Sequence, residues 1–100
     1  MLNFIKNLFK GTDYKALMKQ GAKVIDVRTA AEYKNGHIRE SQNIPLQKIG
    51  NQTKKIASLN SPVILCCASG MRSGQATAML KSAGVQAYNG GAWTSLKGKI

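Results

Sequence analysis

A chain of 100 residues with 43% hydrophobic and 19% charged side chains can bury one core in one domain, without a metal or disulfide to hold it together. Its 15 Lys and Arg against 4 Asp and Glu leave a net charge of +11, a field that gathers anions. The lysines are scattered, aromatics are only 6%, and there is no zinc-finger spacing or basic helical stripe, so nucleic acid is set aside in favour of a small anionic substrate or general surface basicity.

The chain starts MLNFIKNLFK, where Leu2, Ile5, Leu8 and Phe9 recur at helical spacing and Lys6 and Lys10 fall elsewhere on the turn. This predicts an amphipathic segment over residues 1–11, packed on or flanking a domain at 12–100. Weak contact with a membrane surface or a partner is the lesser alternative. The segment lacks the apolar core and cleavage site of a secretory signal, and no stretch approaches the roughly twenty apolar residues of a membrane span. The two cysteines are sequence neighbours and cannot staple distant parts of a fold. They read as thiols of a reducing, cytoplasmic setting.

Thr12 or Asp13 can cap a helix carrying Tyr14, Leu17 and Met18, with Gly21 placed to end it. Val24–Val27 follows as a short buried strand. Thr29 and Glu32 fit a capping box, heading a helix that Asn35-Gly36 stops. Residues 41–45 read as a brief strand closed by Pro45. From Leu46 to about Leu59 the sequence predicts one Lys- and Gln-rich helix with Ile49, Ile56 and Leu59 inward. The continuous apolar run VILCC has the composition of a central parallel strand covered on both faces. Ala76, Met79, Leu80 and Ala83 then mark the inner stripe of a helix ended by Gly84, and Val85–Tyr88 reads as a last strand before Asn89-Gly90-Gly91. Strands alternating with helices over short links predict an α/β fold with a parallel sheet, whose ligands bind beyond the carboxyl ends of the strands.

The chemistry concentrates at one such end, in LCCASGMRS. A cysteine is nucleophilic as thiolate, and an unperturbed thiol, with pKa about 8.5, is mostly protonated at neutral pH. A helix start brings unpaired amides and the positive end of the helix dipole, a curled loop brings more amides, and Arg72 brings a full charge. The same donors hold an incoming anion. Counting to Arg72, four residues intervene from Cys67 and five from Cys66. Cys66, inside the apolar run, reads as a core residue. Cys67, beside a loop of small or flexible side chains (Ala68, Ser69, Gly70, Met71), reads as the working thiol, with nothing large blocking access to it.

DVRTAAEY (Asp26–Tyr33), GHI (Gly36–Ile38), NIPL (Asn43–Leu46), CASGMRS (Cys67–Ser73) and NGGAW (Asn89–Trp93) together resemble the single-domain rhodanese sulfurtransferases, in that family's order and over about residues 12–96. The resemblance implies a three-layer α/β sandwich, with a central, mostly parallel sheet of four to five strands and helices on both faces. It implies Cys67 as nucleophile, with Ala68, Ser69, Gly70, Met71 and Arg72 as the substrate cradle. Sulfur would pass from an anionic donor such as thiosulfate through a Cys67 persulfide to cyanide, a thiol or a protein thiol. No metal or cofactor is called for, and a monomer is expected. Asp26 and Arg28 read as a structural ion pair, His37 as architectural rather than a base, and Trp93 as packing beside the site or in the core.

Two rival readings carry different chemistry. Cysteine phosphatases and arsenate reductases space Cys and Arg by five residues, as Cys66 and Arg72 are spaced. Those phosphatases usually place His before the nucleophile, where this chain has Leu65, and they need an acid for the leaving group. A non-enzymatic persulfide carrier or docking module would keep the fold without turnover.

Overall fold

The computed structural model describes residues 11–100, so the amphipathic segment expected over residues 1–11 lies, but for Gly11, outside them. Asp13 caps the first helix, α1 (Tyr14–Lys19), its carboxylate accepting the Ala16 amide at 3.0 Å. The chain then turns into β1 (Lys23–Asp26). Thr29 and Glu32 form the expected capping box at the head of α2 (Ala30–Lys34), and Asn35 ends that helix. β2 is shorter than its sequence predicts, only Gln42–Asn43.

Where one helix was expected from Leu46 to Leu59 there are two, α3 (Leu46–Ile49) and α4 (Thr53–Ala57). Gln52, at φ −111° and ψ 0°, leaves the helical path between them. Ile49 and Ile56 are still buried, but the second helix ends at Ala57, and Leu59 beyond it is 44% exposed. β3 (Val63–Cys67) is wholly buried, as its apolar run requires. The next helix, α5 (Met71–Ser82), turns Ser73, Ala76, Thr77 and Leu80 inward. Met79 and Ala83, expected on that stripe, are exposed, because the buried stripe is anchored on Ser73 at the start of the helix.

The last strand is also displaced from expectation. β4 is Ala87–Ala92, so it starts two residues later than Val85 and runs through the Asn89-Gly90-Gly91 expected to follow the strand. Its register against β3 shifts between Leu65 and Cys66, which pair with Asn89 and Gly91 and leave Gly90 as the extra residue of a bulge. A Cβ on Gly90 would lie 2.8 Å from Leu96 Cδ2, 3.0 Å from Ile64 Cγ2 and 3.0 Å from the Leu65 carbonyl oxygen. The glycine thus allows close approach within the sheet, not a reversal of the chain. α6 (Trp93–Leu96) and a 3-10 turn (Lys97–Lys99) complete the order.

The sheet runs β2-β1-β3-β4 with every pair parallel. Side chains alternate across it, so β3 supplies both layers of core. Val63, Leu65 and Cys67 join Ile49, Ile56, Ala76 and Leu80 on one face. Ile64 and Cys66 join Leu17, Ile38 and Leu96 on the other. Among the described residues no helix is long and apolar enough to cross a membrane.

Gly90→Ala is expected to destabilise the fold by about 1–3 kcal/mol, the usual cost of overpacking a core. Urea denaturation should show the midpoint falling while the slope is unchanged.

Candidate active site

The alternation that builds the core also separates the two cysteines. Both have no exposed surface, yet their thiols are tuned in opposite directions. Burial pushes the Cys66 thiol up to about 12, and the negative charge of Asp26 adds to the rise. On Cys67 burial acts upward too, but donors outweigh it: the Ser73 hydroxyl and the amides of Ser73, Gly70 and Ser69 bring the thiol below its ordinary value. The Gly70 amide donates to Cys67 Sγ at 2.9 Å and the Ser73 hydroxyl lies 3.3 Å from it.

The chain's local chemistry explains this convergence. α5 begins at Gly70 with no side-chain cap, so the donors of its first turn need an outside acceptor. Gly70 adopts φ +105°, a left-handed conformation open to glycine, and this turns the loop back over the end of β3. The loop rests on β4 so closely that a Cβ on Gly70 would lie 3.3 Å from Gly91 Cα. Asn89 ties it further, donating from Nδ2 to the Gly70 carbonyl at 3.1 Å, while its Oδ1 accepts from the Gly91 amide at 3.0 Å and the Ser73 hydroxyl at 2.7 Å.

The site departs from expectation in two respects. Access to the sulfur is not open: Cys67 is buried among Val27, Ile49 and Ala76 on its face of the core. And Arg72 does not lie bare beside the thiol. Its guanidinium makes a two-pronged bond to Glu32, at 2.7 and 3.0 Å, fastening the start of α5 to the start of α2. Ala68 and Ser69 are exposed, and Met71, at 76%, is the most exposed large apolar side chain of the described residues.

Cys66 is not brought into this cradle; it faces the opposite layer with Leu17 and Ile64. Asp26 and Arg28 form the expected ion pair, buried and two-pronged, with the shortest contact 2.7 Å. Arg28 also donates to the Gly36 carbonyl and lies over the Trp93 ring at 4.8 Å, so Trp93 packs beside that pair. The His37 ring stacks on Tyr33, and Nδ1 lies 2.7 Å from the Tyr33 carbonyl, an architectural placement. The residues that sequence reasoning passes over are Ser73 and Asn89. Each stands inside a quoted motif, but nothing in the linear spacing says that Ser73 reaches the sulfur or that Asn89 holds Ser73 and the loop around it.

The Rhodanese-like domain family model matches residues 11–95. The uncharacterized protein YqhL of Bacillus subtilis (strain 168) is 38% identical over 69 residues, 68% of this chain and 54% of that protein. The thiosulfate sulfurtransferase GlpE of Pseudomonas fluorescens (strain SBW25) is 39% identical over 70 residues, 70% of this chain and 63% of that protein. The chain therefore spans between 54% and 63% of the length of these curated relatives. Among solved structures, a rhodanese with anions from E. coli is 29% identical with a TM-score of 0.67, covering 74% of this chain and 89% of its own. Reduced Bacillus anthracis CoADR-RHD is likewise 29% identical, with a TM-score of 0.71, over 85% of this chain and 15% of its own.

The Glu32–Arg72 bond fixes a pH dependence. Arg72, with the Thr29 amide next, holds the Glu32 carboxyl at about 2 against an ordinary 4.5. A pKa depressed by folding contributes stability above the unfolded value and loses it as the proton returns to the folded state. Thermal stability should fall as pH drops from about 4.5 toward about 2, and Glu32→Gln should flatten that part of the profile. Melting curves across the window would check this.

Proposed function

The chain belongs to the family of rhodanese-like domains, and from this we propose that it is a sulfurtransferase working through a persulfide on Cys67. The observation that carries the reading is the ring of donors on one sulfur, with the Gly70 amide at 2.9 Å and the Ser73 hydroxyl at 3.3 Å, while Cys66 is pushed up to about 12. Of the two thiols, only the donor-ringed one is biased toward the nucleophilic form.

The proposed cycle balances without an external proton or electron carrier. Cys67 thiolate attacks the outer sulfur of thiosulfate or a similar donor. A bond forms between Sγ and that sulfur, the sulfur–sulfur bond of the donor breaks, and its electron pair departs on sulfite. The negative charge then sits on the terminal sulfur of the persulfide, within reach of the amides that held the thiolate. A thiophile (cyanide, a small thiol or a protein thiol) attacks that terminal sulfur and displaces Cys67 as thiolate again.

Binding follows from the same loop. The backbone donors of residues 69, 70 and 73 are the anion-holding groups, and the chain's overall surplus of cations favours the approach of a dianionic donor. That a related rhodanese was solved with anions supports an anionic donor. Arg72, bonded to Glu32, acts as the strut that keeps the start of α5 in place. Because Cys67 has no exposed surface, a donor meets Sγ only when the loop yields, and exposed Ala68, Ser69 and Met71 are the residues with room to move. The phosphatase-like alternative through Cys66 loses support, since that sulfur faces the other layer of the core.

Thiosulfate treatment followed by intact-mass spectrometry tests the proposal. The protein should gain about 32 Da, one sulfur atom at the persulfide stage. Cys66→Ser should keep the gain and Cys67→Ser should lose it. Turnover of aryl phosphates with no sulfur uptake would reverse the assignment, and stoichiometric uptake without turnover to cyanide or thiols would make the protein a carrier.

A further inference from the structure

Ser73 offers one hydroxyl hydrogen to two acceptors: Asn89 Oδ1 at 2.7 Å and Cys67 Sγ at 3.3 Å. The side chain is fully buried, so no solvent competes for that hydrogen. The orientation of the Asn89 amide is set by its partners. The Gly70 carbonyl can only accept, so it takes Nδ2, and the Gly91 amide can only donate, so it faces Oδ1. Asn89 Oδ1 therefore keeps one donor whatever Ser73 does. Releasing the hydroxyl does not strand a buried acceptor, and the cost of turning Ser73 toward sulfur is small.

We propose that the Ser73 hydroxyl is a toggle that follows the charge on Cys67 Sγ, with Asn89 as its resting acceptor. With a neutral thiol, the hydroxyl donates to Asn89 and its oxygen can accept the S–H. When the thiol ionises, the hydroxyl turns to Sγ and Asn89 keeps the Gly91 amide. When Sγ takes up a sulfur atom, negative charge moves to the terminal sulfur, and the hydroxyl returns to Asn89. No bond between heavy atoms is made or broken; one hydrogen bond changes acceptor. Ser73 and Asn89 are positioning residues acting through Cys67. The inference rests on the proposal that Cys67 is the working thiol, but its signature is an ionisation, which needs no sulfur donor.

Thiolate absorbance of Cys67 titrated in a Cys66→Ala background provides the test. Ser73→Ala should raise the apparent pKa by about one unit, the effect of losing one hydrogen bond to a charged group. Asn89→Ala should lower it by a fraction of a unit, because the hydroxyl then has no rival acceptor, and that lowering should vanish once Ser73→Ala is also present. A titration that Ser73→Ala leaves unmoved would overturn the toggle. So would an Asn89→Ala shift that is upward, or one of equal size with and without the hydroxyl. Mass measurement on the same proteins after thiosulfate treatment separates this from the sulfur-transfer reading, because failure to take up sulfur would leave the titration intact.

Discussion

Helix α5 has no N-cap side-chain oxygen to receive its first amides, and the sulfur of Cys67 receives the Ser73 amide together with those of Gly70 and Ser69 in the loop before it. The rest of the site follows from this role of the sulfur. A sulfur that receives amide hydrogens is more stable as thiolate, so the need of the helix start and the need of the proposed nucleophile are met by one set of contacts. The arrangement requires the loop to fold back over the strand end, which the left-handed Gly70 allows. It also requires close approach to the strand beneath the loop, which Gly91 of β4 permits.

Charge is distributed with similar economy. The sequence has only four acidic side chains, and three have identifiable structural partners. Asp13 caps α1, Asp26 clamps Arg28, and Glu32 both closes the capping box of α2 and grips Arg72. Among the described side chains no buried nitrogen or oxygen lacks a hydrogen-bond partner, so the buried ion pair adds no uncompensated charge. The acidic groups largely serve the frame, and the surplus lysines and arginines set the field outside it. That field acts over about a Debye length of roughly 8–10 Å, and so favours the approach of small anions more than it shapes the fold.

Much of the fold is legible from local signals. The capping box at Thr29 and Glu32, the buried run of β3 and the stop at Asn35 each involve neighbours within a few residues, where propensity and hydrogen bonding decide. Expectation and structure part where contacts across the fold override a local signal. The helix from Leu46 breaks at Gln52, α5 turns Ser73 inward and Met79 outward, and Asn89-Gly90-Gly91 continues a strand because it pairs with β3. Likewise Arg72, a free cation when read in sequence, is claimed by Glu32 forty residues away in the chain.

The sequence by itself determined an α/β domain and the family, and it pointed to the loop at which the proposed chemistry is placed. These rest on ordered motifs, on the apolar run that encloses Cys66 and on the small-residue loop that follows Cys67. Only the tertiary structure decided that the sulfur is buried, that Arg72 is paired with Glu32, and that Ser73 reaches the thiol while bonded to Asn89. Hydrogen bonds act over about 3 Å, and whether two groups come that close depends on how α5 and β4 pack, which their separation along the chain does not encode.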